Sequence, residues 1–371
     1  MSGIYIHIPF CHSKCAYCDF FSIPEKKGRE GFVDAIAKEW RMRRHELGDS
    51  AINTLYVGGG TPSILTPAEM EAIVSPIPQS SLVEFTVEAN PEDVTDDWVS
   101  AMRSLGVNRI SVGVQSLNDR ELAAVGRRHN AAEALNAIET ILRGGIPNIS
   151  ADLIYGLPGQ TVKTWHDSLE HLLQSGITHL SAYALSYEPG TRLYAMLKAA
   201  KIEEAPQEVS EQMYDMLCEY TARMGFIHYE ISNFALPDRH SRHNSSYWDY
   251  TPYLGLGPGA HSFDGQTRRV NPPGVSAYIA AINSGRTFYN MEEETPTDRI
   301  NDLIITALRT HIGLDLETVA ELAGEQCLEE LRKNAAPFIA SGKLSCSGHV
   351  MKIPEKYWLL SDAILRDLLI E

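Results

Sequence analysis

The chain has 371 residues, 44% hydrophobic and 22% charged, a balance that suits a globular protein of two domains or one large α/β unit with an appendage. Its formal net charge of −16 argues against a general attraction to nucleic acid or anionic lipid, since both call for clustered lysine and arginine. No run approaches the roughly eighteen apolar residues of a membrane span, the N-terminus lacks a cationic stretch leading into a long apolar one, and the cysteines do not read as a disulfide set, so the expected compartment is the reducing cytoplasm.

The first predicted strand, IYIHI (4–8), runs directly into Cys11, Cys15 and Cys18, spaced C-x3-C-x2-C. Half of the chain's six cysteines lie within eight residues, while Cys218, Cys327 and Cys346 are scattered. Three thiolates this close together hold one metal centre but cannot pair off as disulfides. Cubic iron–sulfur clusters are held by cysteine thiolates, usually four. Three would leave one iron open, as catalytic zinc sites keep a free position, and an open iron points to chemistry or ligand capture. A zinc ion with His7 or His12 as fourth ligand, or a group of reactive thiols, is the alternative.

Further strand-like runs follow at 52–57, 83–89, 108–114, 149–155 and 178–185, with amphipathic stretches between them at 32–40, 68–74, 96–105, 131–142 and 164–175. Alternating strands and helices imply βαβ units and a parallel sheet. Six such units predict a partial (β/α)6 barrel, in which the loops after the strands build the site. The basic stretch RMRRHEL (41–47) reads as a solvated helix face. From about residue 235 a loop-rich, aromatic stretch with little periodicity intervenes. Helices at 297–310, 316–324 and 327–342 follow, then a short hairpin (343–354) and a closing helix (357–371). This predicts a barrel over 1–234 and a mainly helical, winged-helix-like domain over 235–371, with DNA binding disfavoured by the acidity.

GGGTP (58–62) at the second strand end lets backbone come close to a ligand or take positive φ, and it is not a phosphate loop because no Gly-Lys-Ser/Thr follows. YIHIPFCxxxCxYCDF, VGGGTPS, VEANPE, SVGVQS, VGRRH and DLIYGLPGQT together resemble, in order and across essentially the whole chain, the radical S-adenosylmethionine (SAM) proteins of the oxygen-independent coproporphyrinogen oxidase family. The resemblance implies that Cys11, Cys15 and Cys18 bind a four-iron, four-sulfur (4Fe–4S) cluster whose open iron chelates the amino and carboxylate groups of SAM. It also implies SAM contacts at Tyr5, Tyr17, Gly59, Gly60, Thr61, Glu88, Gln115, Arg127 and Asp152. Ala260-His261 aligns with a weaker SAM-adjacent segment, and a structural turn there is the alternative.

Two departures matter. The oxidases resemble C-x3-C-x2-C-x-C, whereas position 20 here is Phe20, and they carry a long N-terminal extension, whereas this chain begins ten residues before Cys11. Both fit the haem chaperone branch of the family better, as does H-N-x-x-Y-W, present as His243-Asn244-Ser245-Ser246-Tyr247-Trp248. Imidazole is a common haem-iron ligand, so His243 is the haem candidate, with a loop histidine and aromatics plugging the domain junction as the alternative. The expected function is haem binding and delivery to haem-requiring proteins such as membrane respiratory components. The alternative is an oxidase that would use a 5′-deoxyadenosyl radical on coproporphyrinogen propionates. A winged-helix regulator with a sensing cluster is disfavoured by charge, and a homodimer is left open.

Overall fold

Polar and apolar residues alternate along the six expected strands, and this period of two decides which face each side chain takes. The computed structural model describes residues 1–24, 28, 29, 31–292 and 294–370. In it β1 (Ser2–Ile8), β2 (Ile52–Gly59), β3 (Glu84–Ala89), β4 (Arg109–Gln115), β5 (Asn148–Tyr155) and β6 (His179–Ala184) pair in parallel in that order. Ile4, Ile6, Leu55, Val57, Phe85, Val87, Ile110, Val112, Ala151 and Leu180 join the hydrophobic core shared with the helices. The intervening residues, among them Tyr5, Tyr56, Thr86, Glu88, Ser111, Asp152 and Ser181, take the opposite face, so the barrel interior is polar.

The connecting helices are α1 (Phe32–Arg43), α2 (Pro67–Val74), α3 (Asp96–Ser104), α4 (Ala131–Arg143) and α5 (Val162–Gln174). Four of them start at a side-chain cap, Thr66, Thr95, Asn130 or Thr161, which accepts from an otherwise unpartnered backbone N–H. α1 departs from the expected solvated face. Arg43 is fully buried and its Nη1 donates to Glu39 Oε1 at 2.9 Å and to the Gly255 carbonyl at 3.1 Å.

After β6 come α6 (Gln207–Arg223), β7 (Ile227–Glu230) and β8 (Asn233–Ala235), the two strands pairing antiparallel beyond β6. The stretch expected to be loop-rich contains β9 (Tyr253–Leu256), which pairs in parallel with β1. β10 (His261–Phe263), β11 (Arg268–Val270) and β12 (Asn290–Glu292) then extend that edge. The result is one sheet in the order β12-β11-β10-β9-β1-β2-β3-β4-β5-β6-β8-β7. Hence residue 235 does not separate two packing units: one core runs from Ile4 to Ile282 and a second from Ile300 to Ile370. The second is helical, with Pro296–Leu308, Leu316–Ala340 (broken at Gly324, φ 82°) and Ser361–Leu368. Strands Leu314–Asp315, Ser345–Ser347 and Val350–Lys352 add a small wing.

Candidate functional site at the barrel mouth

The cysteine segment leaves the C-terminal end of β1 and is held at three places. Phe10–Cys11 pairs with Ile23–Pro24, the Ala16 N–H donates to the Val125 carbonyl at 2.9 Å, and the Leu193 N–H donates to the Ala16 carbonyl at 2.8 Å. All three thiols are half-buried. Burial, and then the Cys15 and Cys11 sulfurs, push Cys18 up to about 11, against a lowering hydrogen bond with the Phe20 backbone.

Two of the sulfurs are joined by a chain of hydrogen bonds. Thr61 Oγ1 donates to Cys11 Sγ at 3.4 Å and accepts from Asn90 Nδ2 at 3.4 Å. Asn90 Oδ1 accepts from Arg127 Nη2 at 2.8 Å, and Arg127 Nη1 donates to Cys15 Sγ at 3.4 Å. The half-buried guanidinium also donates to the Gly113 carbonyl at 2.7 Å. A half-buried cation and a hydroxyl donor aimed at sulfur suit thiolates that must carry negative charge onto a cluster. The donor set does not favour zinc with His7, whose Nδ1 meets the Tyr5 hydroxyl at 3.0 Å and whose Nε2 meets the Phe21 carbonyl at 3.0 Å. His12 faces Asp93, Nε2 to Oδ1 3.7 Å.

Of the glycines at the second strand end, Gly59 takes the expected positive φ, and both it and Gly60 pack against the chain itself. A Cβ on Gly59, whose φ is 111°, would lie 2.6 Å from the His7 ring, and one on Gly60 would lie 2.6 Å from the Phe10 carbonyl oxygen. The missing side chains therefore admit the His7 ring at Gly59 and the chain's own backbone at Gly60, whose N–H donates to the Ile8 carbonyl at 2.7 Å. Tight seating of β2 against the segment that carries Cys11 is what this motif provides.

Deeper in the lumen, Glu88 accepts from the Tyr56 hydroxyl at 2.8 Å and from the Gly59 N–H at 3.0 Å. Burial, with Asp152 adding repulsion, raises Glu88 to about 7. Burial raises Asp152 to about 6, against hydrogen bonding from Ser181 and the Ser111 hydroxyl 3.5 Å away. Gln115 is buried with φ 67° where the β4–β5 register slips. Tyr17 packs on Val125, Ile154 and Leu157. Cys11, Cys15, Cys18, Thr61, Arg127 and Tyr17 thus gather at the mouth, and Tyr5, Glu88, Gln115 and Asp152 belong to the interior. The Ala260 N–H donates to the Gly257 carbonyl at 3.2 Å, and a Cβ on the neighbouring Gly259 would lie 3.5 Å from Phe21, so this segment backs the cysteine loop. Asn90, Tyr56, Ser111 and Ser181 are additions to the predicted set, and the alternation of polar residues along the strands was the available signal.

His243 lies elsewhere. It sits on the short helix Arg242–Ser245 at the opposite end of the barrel, where its N–H donates to Glu84 Oε1 at 2.9 Å. The ring is fully buried, with Nδ1 2.9 Å from Thr54 Oγ1 and Nε2 2.9 Å from the Tyr247 hydroxyl, and it stacks on Tyr56 with centroids 5.2 Å apart. Burial lowers it to about 3. Both nitrogens are engaged, so haem iron would reach this ring only after the plug had been withdrawn. The ring and its aromatic neighbours pack as a plug at this end of the barrel, on a helix and not in a loop.

The chain is 35% identical over 331 residues to the "Heme chaperone HemW" of Bacillus subtilis (strain 168), spanning 87% of each chain. The chain belongs to the HemW family. The HemW of Mycobacterium tuberculosis (strain ATCC 25618 / H37Rv) is 31% identical over 376 residues, covering 99% of this chain and 94% of that one. A family model described as the Radical SAM superfamily matches residues 5–172, and one described as the HemN C-terminal domain matches 295–360. The fold is that of coproporphyrinogen III oxidase (HemN) from Escherichia coli, with a TM-score of 0.85 at 22% identity, covering 99% of this chain and 90% of that one. Radical SAM membership implies a 4Fe–4S cluster and SAM, and the three-sulfur mouth with its hydroxyl and guanidinium donors fits them. No helix among the described residues is long and apolar enough to cross a membrane.

Proposed function

We propose that this chain is a cytoplasmic haem chaperone that carries a cluster and SAM at the barrel mouth and passes haem to haem-requiring proteins, membrane respiratory components among them. The observation that carries the reading is the 35% identity across 87% of both chains with a protein named as a haem chaperone. Phe20 supports it: at the position where the oxidase pattern has a further cysteine, this chain holds a phenylalanine that is 68% exposed. On this reading Cys11, Cys15 and Cys18 hold the cluster, with Thr61 and Arg127 bonded to two of the sulfurs. Glu88, Gln115 and Asp152 offer polar groups to SAM from the lumen, with Tyr5, Tyr17, Gly59 and Gly60 forming its walls. When bound, the cluster and SAM would supply one-electron chemistry. The protein's own part is to hold three thiolates beside a half-buried cation and to keep water out from below with the His243 plug.

The test is anaerobic reconstitution of the full chain, followed by parallel assays of haem binding and of coproporphyrinogen III conversion with SAM and a reductant. Stoichiometric haem binding without conversion is expected. Turnover of coproporphyrinogen III would replace the chaperone reading with the enzyme.

A further inference from the structure

A second group of metal-ligating side chains lies away from the barrel mouth, where the body meets the C-terminal region. Tyr214 and Cys218 are four residues apart on α6 and therefore share one face of it. That face looks onto His228 of β7. Cys218 Sγ is 3.9 Å from His228 Nδ1, and Glu355 Oε1 approaches the same nitrogen at 2.8 Å. The ligand atoms of Cys218, His228 and Glu355 all lie within 4.8 Å of one another.

Three further features suit a bound cation. The other ring nitrogen, Nε2, is 3.4 Å from the Ile231 carbonyl, which leaves Nδ1 as the nitrogen that would take the metal once the proton it shares with Glu355 has left, as in many metal sites where a carbonyl orients the ligating ring. The imidazole is only 4% exposed and is clamped between Phe234 (centroids 4.0 Å, stacked) and Trp358 (4.3 Å, edge-on), so its direction is set by packing. The Tyr214 hydroxyl is buried beside this cluster, and burial, then Cys218 and Glu355, disfavour its ionisation.

We propose that Cys218, His228 and Glu355 bind a divalent metal ion, Zn2+ by donor chemistry, with a fourth position beside the Tyr214 hydroxyl. Mixed sulfur, nitrogen and carboxylate donors suit zinc and not magnesium or calcium. In a tetrahedral zinc site with ordinary bond lengths, sulfur and nitrogen ligands lie about 3.5 Å apart and nitrogen and oxygen ligands about 3.3 Å apart. The distances seen, 3.9 and 2.8 Å, are within about half an ångström of those. Burial, and then the Glu355 carboxylate, hold the free Cys218 thiol up to about 12, so binding releases that proton as well as the one between His228 and Glu355. Cys218 and His228 belong to the barrel body and Glu355 to the C-terminal region, so the ion would clasp the two.

The test uses the reconstituted full chain with its cluster in place, stripped of loosely bound metal and titrated anaerobically with Zn2+ by calorimetry and with Co2+ by visible d–d absorption. One equivalent beyond the cluster is expected. Cys218→Ala and Glu355→Ala should each weaken it at least about 100-fold while leaving cluster iron unchanged. Cys218 is half-buried and the Glu355 side chain 57% exposed, so neither change threatens folding, whereas His228→Ala would also open an aromatic stack. Absence of a zinc equivalent in the wild type, or a zinc affinity in either variant equal to that of the wild type, overturns the proposal and leaves an ordinary His228–Glu355 ion pair.

Discussion

Replacing His243 with alanine separates a structural plug from a haem ligand. The ring is fully buried, so the change leaves Thr54 Oγ1 and the Tyr247 hydroxyl without their partner inside the barrel. Each buried polar group left unpaired costs about 1–3 kcal/mol, and the vacated ring adds a cavity cost of about 1 kcal/mol or more. The expected loss is therefore roughly 3–7 kcal/mol, a large part of the total stability of about 5–15 kcal/mol of a folded domain. It is read as a lower denaturation midpoint in urea. The pH dependence supplies a second signature. Burial holds His243 at about 3 against an ordinary 6.5, so as pH falls from 6.5 towards 3 the unfolded chain takes up a proton that the folded chain refuses, and stability is lost across that window. At pH 5 the loss amounts to about 2 kcal/mol. The alanine variant lacks this slope. Glu88 and Asp152, raised to about 7 and 6, act in the opposite sense, because the folded chain holds their protons more tightly and gains stability as pH falls. They do so in both proteins, and so cancel in the wild-type-minus-variant difference. An unchanged midpoint, or an equal pH slope in the two proteins, refutes the reasoning. An unchanged midpoint together with lost haem binding would return His243 to the role of iron ligand.

The mouth makes its own predictions. Cys15→Ala should abolish cluster iron and sulfide after reconstitution, and normal iron in that protein would overturn the three-cysteine assignment. Gly60→Val drives its side chain into the Phe10 carbonyl and should lower cluster iron and SAM affinity together; weakened SAM binding with an intact cluster would instead assign Gly60 to the ligand. Arg127→Met removes a half-buried cation bonded to Cys15 and should shift the cluster's reduction potential to more negative values, measured by dye-mediated titration, with an unchanged potential counting against the contact. Since Glu88 is raised to about 7, calorimetric SAM affinity should rise with pH through about that value in the wild type and be flat in Glu88→Gln. A pH-independent wild type would mean that the ionised carboxylate does not meet SAM.

Local signals in the chain were enough for much of this protein. The β-branched runs and amphipathic stretches give six parallel strands and their helices at nearly the expected bounds, because side-chain period and capping act within a few residues. The C-x3-C-x2-C spacing after β1 marked the mouth, since three thiols in one short loop must share whatever they bind. Elsewhere the deciding contacts join distant residues, and only the tertiary structure showed them. β9 is four residues long and becomes a strand because β1, some 250 residues earlier, offers it a parallel edge. Arg43, part of a basic run, is buried because Glu39 and the Gly255 carbonyl meet it there. Gly60 is a glycine on account of the Phe10 backbone. The order of residues in HNSSYW shows a histidine among aromatics, but whether that ring faces a ligand or seals a barrel depends on Thr54 and Tyr247 holding its two nitrogens. Periodicity and spacing are properties of neighbours in the chain, whereas burial and hydrogen-bond partnership are properties of neighbours in space.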